Sequence, residues 1–75
     1  MKLKEGKNSQ NYKVIGINIE QDLERRLEVL GLTEDSCIQV INNDKKGSMT
    51  VRFRGTRFAF GKRIAENITV EEIDK

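Results

Sequence analysis

Apolar and polar residues alternate in short runs along most of the chain, which is the pattern of half-buried β-strands. The first run covers residues 12–19, and its apolar phase changes beside Gly16. A phase change at a glycine predicts a β-bulge, which bends the strand. A second run contains Ile38 and Val40, and turn-forming residues follow it at 42–48. We therefore predict a curved first strand and a second strand that ends in a hairpin loop.

Two further strands are predicted on either side of the pair Gly55-Thr56. Glycine at the first position of a two-residue loop is typical of a type II′ turn. This turn would pair Arg54 with Arg57 and would put all three phenylalanines on one face of the hairpin. The strands would cover residues 49–54 and 57–61, and the phenylalanines are Phe53, Phe58 and Phe60.

Leucines recur at helical spacing after the first strand. Leu23, Leu27 and Leu30 stand at positions i, i+4 and i+7, which places them on one face of a short helix. Gly31 follows the last leucine, and glycine favours the left-handed conformation that ends many helices. We therefore predict a helix that ends at Leu30 and packs all three leucines on the sheet.

The remaining residues complete a small β-rich fold. A single helical turn is predicted at 64–67, and Ile68, Val70 and Ile73 mark a last strand. Short, bent strands in so small a sheet favour closure, because closure removes exposed edges. The prediction is an all-β fold, a small SH3-like barrel of about five strands with one short α-helix after the first strand, in a single domain over residues 1–75.

Composition argues against catalysis and against a metal site. The 75 residues include no histidine and one cysteine, so imidazole-based triads and the commonest metal ligand are excluded. Cys37 is expected to be a packed structural thiol, and no internal disulfide can form. No catalytic residue, cofactor, metal ligand or small-molecule substrate is predicted. The basic residues 1–7 are not followed by the apolar stretch of a signal peptide, so a cytoplasmic location is expected.

Charge is segregated along the chain. Residues 45–63 contain seven basic residues and no acidic one, although the net charge is only +2. Arg52, Arg54 and Arg57 are expected on the outward face of the predicted hairpin, where they are either solvated or bind an anionic partner. That partner could be an acidic protein surface, anionic lipid or nucleic acid. Only Tyr12 would be left to stack on a base, which argues against nucleic acid.

The end of the predicted helix carries a recognisable motif. Arg26, Leu27, Leu30, Gly31 and Leu32 form the pattern Arg-Leu-x-x-Leu-Gly-Leu, and glycines and apolar residues further along continue it. With these residues the chain resembles the FeoA family over nearly its whole length. The resemblance implies a small cytoplasmic SH3-like protein without enzymatic activity that accompanies FeoB, the GTPase-coupled ferrous iron transporter of bacterial inner membranes. The chain departs from the family pattern in two loops, at Glu34-Asp35 and at residues 47–49.

We accordingly expect the chain to bind and modulate an FeoB-type transporter through the predicted hairpin of residues 49–61 and the end of the predicted helix. The residues expected to bind the partner are Arg25, Arg26, Leu32, Arg52, Arg54, Arg57 and Lys62. Two alternatives stay open. The chain could be a small nucleic-acid-binding barrel that uses Arg52, Arg54, Arg57, Lys62 and Arg63, or an SH3-like domain of the kind found in metal-dependent repressors.

Overall fold

The computed structural model describes residues 1–44 and 47–73. Its elements are a 3₁₀ turn Leu3–Glu5, β1 (Asn11–Ile17), α1 (Gln21–Leu30), β2 (Cys37–Asn43), β3 (Ser48–Phe53), β4 (Thr56–Gly61), α2 (Lys62–Ala65) and β5 (Ile68–Glu72). Within these residues, neither helix is long and apolar enough to span a membrane. Lys45 and Lys46, in the middle of the predicted hairpin loop, lie outside the described residues.

The five strands form one antiparallel sheet in the order β4-β3-β2-β1-β5. The chain before β1 continues the sheet beyond β5, because Lys2 forms a β-bridge with Thr69. The 3₁₀ turn packs against both α2 and β5, and α2 contacts β3 and β4, so this turn and α2 join the two ends of the sheet beside the end of β4. The predicted all-β, SH3-like fold with one helix after the first strand is confirmed.

The predicted bend in the first strand is also confirmed. The register between β1 and β5 shifts between Val14 and Gly16, which marks a β-bulge. Before the bulge, Tyr12 and Val14 are fully buried, whereas Ile15 at the bulge is 44% exposed. Because the extra residue reorients the strand, the sheet curves, and its inner face can enclose a core without a second sheet.

Helix α1 ends where predicted but buries a different leucine. Gly31 has φ 104°, its N–H donates to the carbonyl of Glu28, and the N–H of Leu32 donates to the carbonyl of Leu27. This pair of bonds is the Schellman motif, which reverses the chain at a left-handed glycine. Leu27 and Leu32 are buried, whereas Leu30 is 48% exposed. The prediction that Leu30 packs on the sheet is therefore wrong, because the chain reversal places Leu32 in the core instead.

The β3–β4 hairpin corrects the predicted register. Arg54 and Gly55 both have positive φ, 52° and 78°, so they form the two-residue turn, of type I′. Arg57 therefore pairs with Arg52, and Met49 pairs with Phe60. The predicted register would have placed the apolar Met49 opposite Lys62. A shift of two residues preserves the faces, so the phenylalanines still point inward.

The core is formed from the inner face of this curved sheet together with the end of α1 and the first residues of the chain. Phe53 and Phe58 stack with ring centroids 4.3 Å apart, and Phe60 lies next to Phe53 at 6.1 Å. The buried apolar residues are Leu3, Tyr12, Val14, Leu27, Leu32, Ile38, Val40, Met49, Val51, Phe53, Phe60, Ala65, Ile68 and Val70. This core positions the hairpin and the helix end on neighbouring parts of the surface.

Replacement of Gly31 tests the helix end. Gly31→Val should lower the free energy of unfolding by about 1–2 kcal/mol, because a β-branched residue is strained at positive φ. A Cβ atom there would also collide with the Arg54 side chain. Gly16→Val is the matched control, since its Cβ would meet only Thr69 Cβ at 3.9 Å. Urea denaturation of both variants measures the difference, and equal midpoints would contradict this account of Gly31.

Candidate partner-binding surface

The outward face of the β3–β4 hairpin carries three arginines, and we call residues 48–61 with these arginines the basic hairpin. Arg52 and Arg57 are directly opposite each other, and both are exposed. Like charges at this spacing repel mildly unless an anion or solvent lies between them. The described part of the chain has the ion pairs Lys4–Glu66 and Lys13–Asp35, and neither involves these arginines. With respect to residues 1–44 and 47–73, the basic hairpin therefore offers unneutralised positive charge to a partner.

Arg54 joins the basic hairpin to the end of α1. Its Cγ, Cδ and Nε atoms occupy the space in which a Cβ of Gly31 would stand, so the side chain lies directly over this glycine. The guanidinium thus lies near the carboxyl end of α1, where the helix dipole favours a positive charge. Because Arg54 contacts Gly31, the basic hairpin and the end of α1 form one continuous surface.

The helix end supplies exposed apolar area beside that charge. Val29 is 87% exposed and Leu30 is 48% exposed, immediately before Gly31. Arg25 and Arg26 are exposed on the same helix, roughly 8 Å earlier along its axis. We call Val29, Leu30 and Gly31 the helix end. The structure therefore places apolar and basic groups together at this end of the molecule.

Leu32 does not belong to this surface. Its side chain is 0% exposed because the Schellman motif turns it into the core. The expectation that Leu32 contacts a partner is therefore wrong. Val29 and Leu30 supply the exposed apolar area that Leu32 was expected to give. Val29 could have been noticed in the sequence, because it is an apolar residue off the leucine stripe of the helix.

Lys62 and Arg63 are exposed but lie elsewhere. They begin α2, at the opposite end of β4 from the Arg54-Gly55 turn, and the six residues of β4 span about 20 Å. Lys62 borders a cleft of 420 Å³ between α2 and the 3₁₀ turn, together with Lys4, Met49 and Phe60. The structure therefore separates Lys62 from the helix end, although sequence reasoning grouped them.

Cys37 is exposed rather than packed. It begins β2, where Ile38 and Val40 point into the core and their alternating neighbours point outward. With Arg52 and Arg54 it borders a shallow groove of 240 Å³ on the outer face of the sheet. The expectation of a buried structural thiol is wrong, and the strand alternation in the sequence already indicated the outward position.

The aromatic side chains point away from solvent. Tyr12 is fully buried, and its hydroxyl oxygen accepts a hydrogen bond from the Lys7 N–H at 2.8 Å. Phe53 and Phe60 are buried, and Phe58 is half-buried against the core. The expectation that Tyr12 could serve as a stacking platform is therefore wrong.

In the described residues, no three His, Cys, Asp or Glu side chains are arranged to hold a metal ion.

Comparisons with known proteins identify what the chain is similar to. The model of the FeoA domain family matches residues 1–72. A crystal structure of an iron uptake regulatory protein, FeoA, has 27% sequence identity and a TM-score of 0.87, with 97% of each chain covered. The solution structure of FeoA protein from Chlorobium tepidum has 28% identity and a TM-score of 0.89, covering 99% of this chain and 71% of that one.

A repressor contains the same fold as part of a longer chain. The crystal structure of the manganese-activated repressor ScaR has 26% identity and a TM-score of 0.82, covering 97% of this chain but 35% of the repressor. The comparison with curated protein sequences gives no significant match.

The arginine pair of the basic hairpin gives a stability prediction. Replacing Arg52 and Arg57 together by Gln should leave the free energy of unfolding unchanged or raise it by up to about 0.5 kcal/mol, because it removes a like-charge pair. Lys2 and Lys7, also replaced together by Gln, are the charge-matched control. Chemical denaturation of both variants gives the comparison. A loss of several kcal/mol in the arginine variant alone would contradict their outward, solvated position.

The exposed position of Cys37 predicts its accessibility to reagents. Iodoacetamide should alkylate the thiol in the native protein at a rate comparable with that in the urea-unfolded chain, because no conformational opening is needed. Mass spectrometry at timed intervals measures both rates. A native rate that falls in proportion to the unfolded fraction would show that the thiol is buried.

Proposed function

The chain belongs to the FeoA family, and on that premise we propose that it is a cytoplasmic, non-catalytic accessory protein of a bacterial ferrous iron transport system. Its role is to bind the cytoplasmic side of an FeoB-type transporter and to modulate it. The family match over residues 1–72 and the similarity to FeoA structures over nearly the whole chain support the transport system.

The observation that carries the binding role is the contact of Arg54 with Gly31. This contact places unneutralised arginines beside the exposed Val29 and Leu30. An interface of this kind combines apolar area, which supplies affinity, with charge, which supplies orientation and specificity. The partner surface that fits it is acidic with an apolar centre. Binding is weak to moderate, because so small a domain offers a modest interface.

We further propose that the chain acts on the transporter rather than carrying iron. The sequence has no histidine, and its one cysteine has no second thiol to bind a metal with it. Ferrous iron held by isolated surface carboxylates would exchange quickly with water and with competing metals. Calorimetry with Fe²⁺ under anaerobic conditions should accordingly show no stoichiometric sub-micromolar site.

Nucleic-acid binding is the second candidate, and the exposed Arg52 and Arg57 are the observation that favours it. Affinity through five phosphate contacts would fall with salt on a log-log slope of about −4. The inward position of all four aromatic residues weighs against it, since unstacked bases would find no aromatic platform. A repressor-like role is less well supported than either of these candidates, because it also requires a DNA-binding domain.

Co-purification with the cognate full-length transporter tests the proposal. The unmodified protein should be retained on the immobilised transporter at low salt, and the triple variant of Arg52, Arg54 and Arg57 to Gln should be retained at least about tenfold less. The control variant replaces Lys2, Lys4 and Lys7 by Gln and removes the same charge elsewhere. It should be retained like the unmodified protein.

The same experiment separates the two candidates. RNA and double-stranded DNA are offered to each variant in parallel. Retention of nucleic acid, together with no retention on the transporter at low salt, would reject the accessory role in favour of nucleic-acid binding. Equal loss in the arginine and lysine variants would show that the basic hairpin is not the docking surface.

A further inference from the structure

The two edge strands of the sheet, β5 and β4, differ in whether their outer sides are paired. The outer side of β5 is occupied by the chain's own first residues, since the Val70 N–H donates to the Met1 carbonyl at 2.8 Å and Lys2 bridges Thr69. The outer side of β4 pairs with no strand among the described residues. One edge is therefore covered and the other is open.

The hairpin register fixes which backbone groups point out of the open edge. In an antiparallel ladder, opposite residues either exchange two hydrogen bonds or turn their N–H and C=O groups away from each other, in strict alternation. Phe53 and Thr56 flank the two-residue turn and so form an exchanging pair. Arg57 and Ala59 fall at the alternate positions. Their backbone groups therefore point away from β3 and out of the sheet.

These outward groups are accessible. Arg57, Ala59 and Gly61 are exposed, and Ala59 has no side chain long enough to shield the edge. An open edge with free N–H and C=O groups is a template for another strand, which natural proteins usually block unless the edge is used. The edge of β4 is not blocked by proline, by a bulge or by a paired strand in the described residues.

The side chains along this edge select the chemistry of an incoming strand. Arg57 projects from the outer face, Lys62 and Arg63 follow at the end of the strand, and residues 47–65 contain no carboxylate. On the inner face, Phe58 is only half-buried and leaves apolar surface at the edge. A strand that alternates acidic and apolar residues would match both faces.

We propose that the outer edge of β4 accepts an extended acidic segment of a partner protein by β-strand addition. The backbone groups of Arg57 and Ala59 hydrogen-bond to the segment, its carboxylates face Arg57, and its apolar residues cover Phe58. This inference depends on the proposed function in one respect, which is that the partner is a protein. A second copy of this chain fits less well, because it would bring two carboxylate-free basic strands together.

Amide exchange measured by NMR tests the edge directly. In the free protein, the amides of Arg57 and Ala59 should exchange quickly, whereas those of Phe58 and Phe60 should be protected. Addition of an acetylated and amidated peptide of sequence TEVEVET should protect Arg57 and Ala59. The peptide TKVKVKT, which reverses the charge, should not. Protection of these amides by protein concentration alone would identify self-pairing and would overturn the acidic-partner proposal.

Ala59→Pro separates strand addition from simple charge attraction. Proline removes the outward N–H but no ladder hydrogen bond, because the Ala59 N–H does not point toward β3. Binding of TEVEVET should fall by about tenfold or more. Ala59→Val is the control that keeps the N–H and should bind like the unmodified protein. Retained protection of Phe58 and Phe60 in both variants verifies the fold.

Retention on the full-length transporter distinguishes the two proposals. Loss of retention in Ala59→Pro but not in Ala59→Val supports strand addition to the transporter. Equal retention of both would overturn strand addition as the mode of binding to the transporter and leave the accessory role standing. If the unmodified protein is not retained at all, the accessory role fails, and the peptide titration alone decides the edge. Peptide binding without protection of Arg57 and Ala59 would overturn the inference.

Discussion

The left-handed backbone at Gly31 is the constraint on which the rest of the structure depends. It ends α1, reverses the chain and brings Leu32 into the core beside Leu27. The missing Cβ also leaves the space that the Arg54 side chain occupies. A larger residue would strain the backbone and displace the arginine together. One glycine thus determines how the helix docks and how the helix end meets the basic hairpin.

The faces of the strands could be predicted from the sequence, but the exact pairing could not. Alternation with period two placed Phe53, Phe58 and Phe60 inward, and a shift of two residues leaves that assignment intact. The shift itself depends on whether Gly55 is the first or the second residue of the turn, and glycine suits both. The apolar match of Met49 with Phe60 decides the question, and it is a contact between strands.

The candidate surface could also be predicted only in part, because local patterns indicate which strand residues point outward but not which distant residues meet. The outward arginines follow from strand alternation, and so does the outward position of Cys37, which was nevertheless expected to be buried. Helical periodicity assigned Leu30 to the core because it takes no account of the chain reversal that follows. The contact between Arg54 and Gly31 is between residues far apart in sequence, so no local sequence pattern could predict it.

The position of β1 in the sheet has a consequence for how the chain reaches its native state. β1 lies between β2, which follows it after α1, and β5, which ends at Glu72. Its pairing with β5 therefore closes a loop of nearly the whole domain, and such contacts raise the contact order and slow folding. On the ribosome, β1 to β4 emerge before β1 can acquire its second neighbour. Until then the edge of β1 that later pairs with β5 is open, and an unpaired strand edge favours aggregation during synthesis.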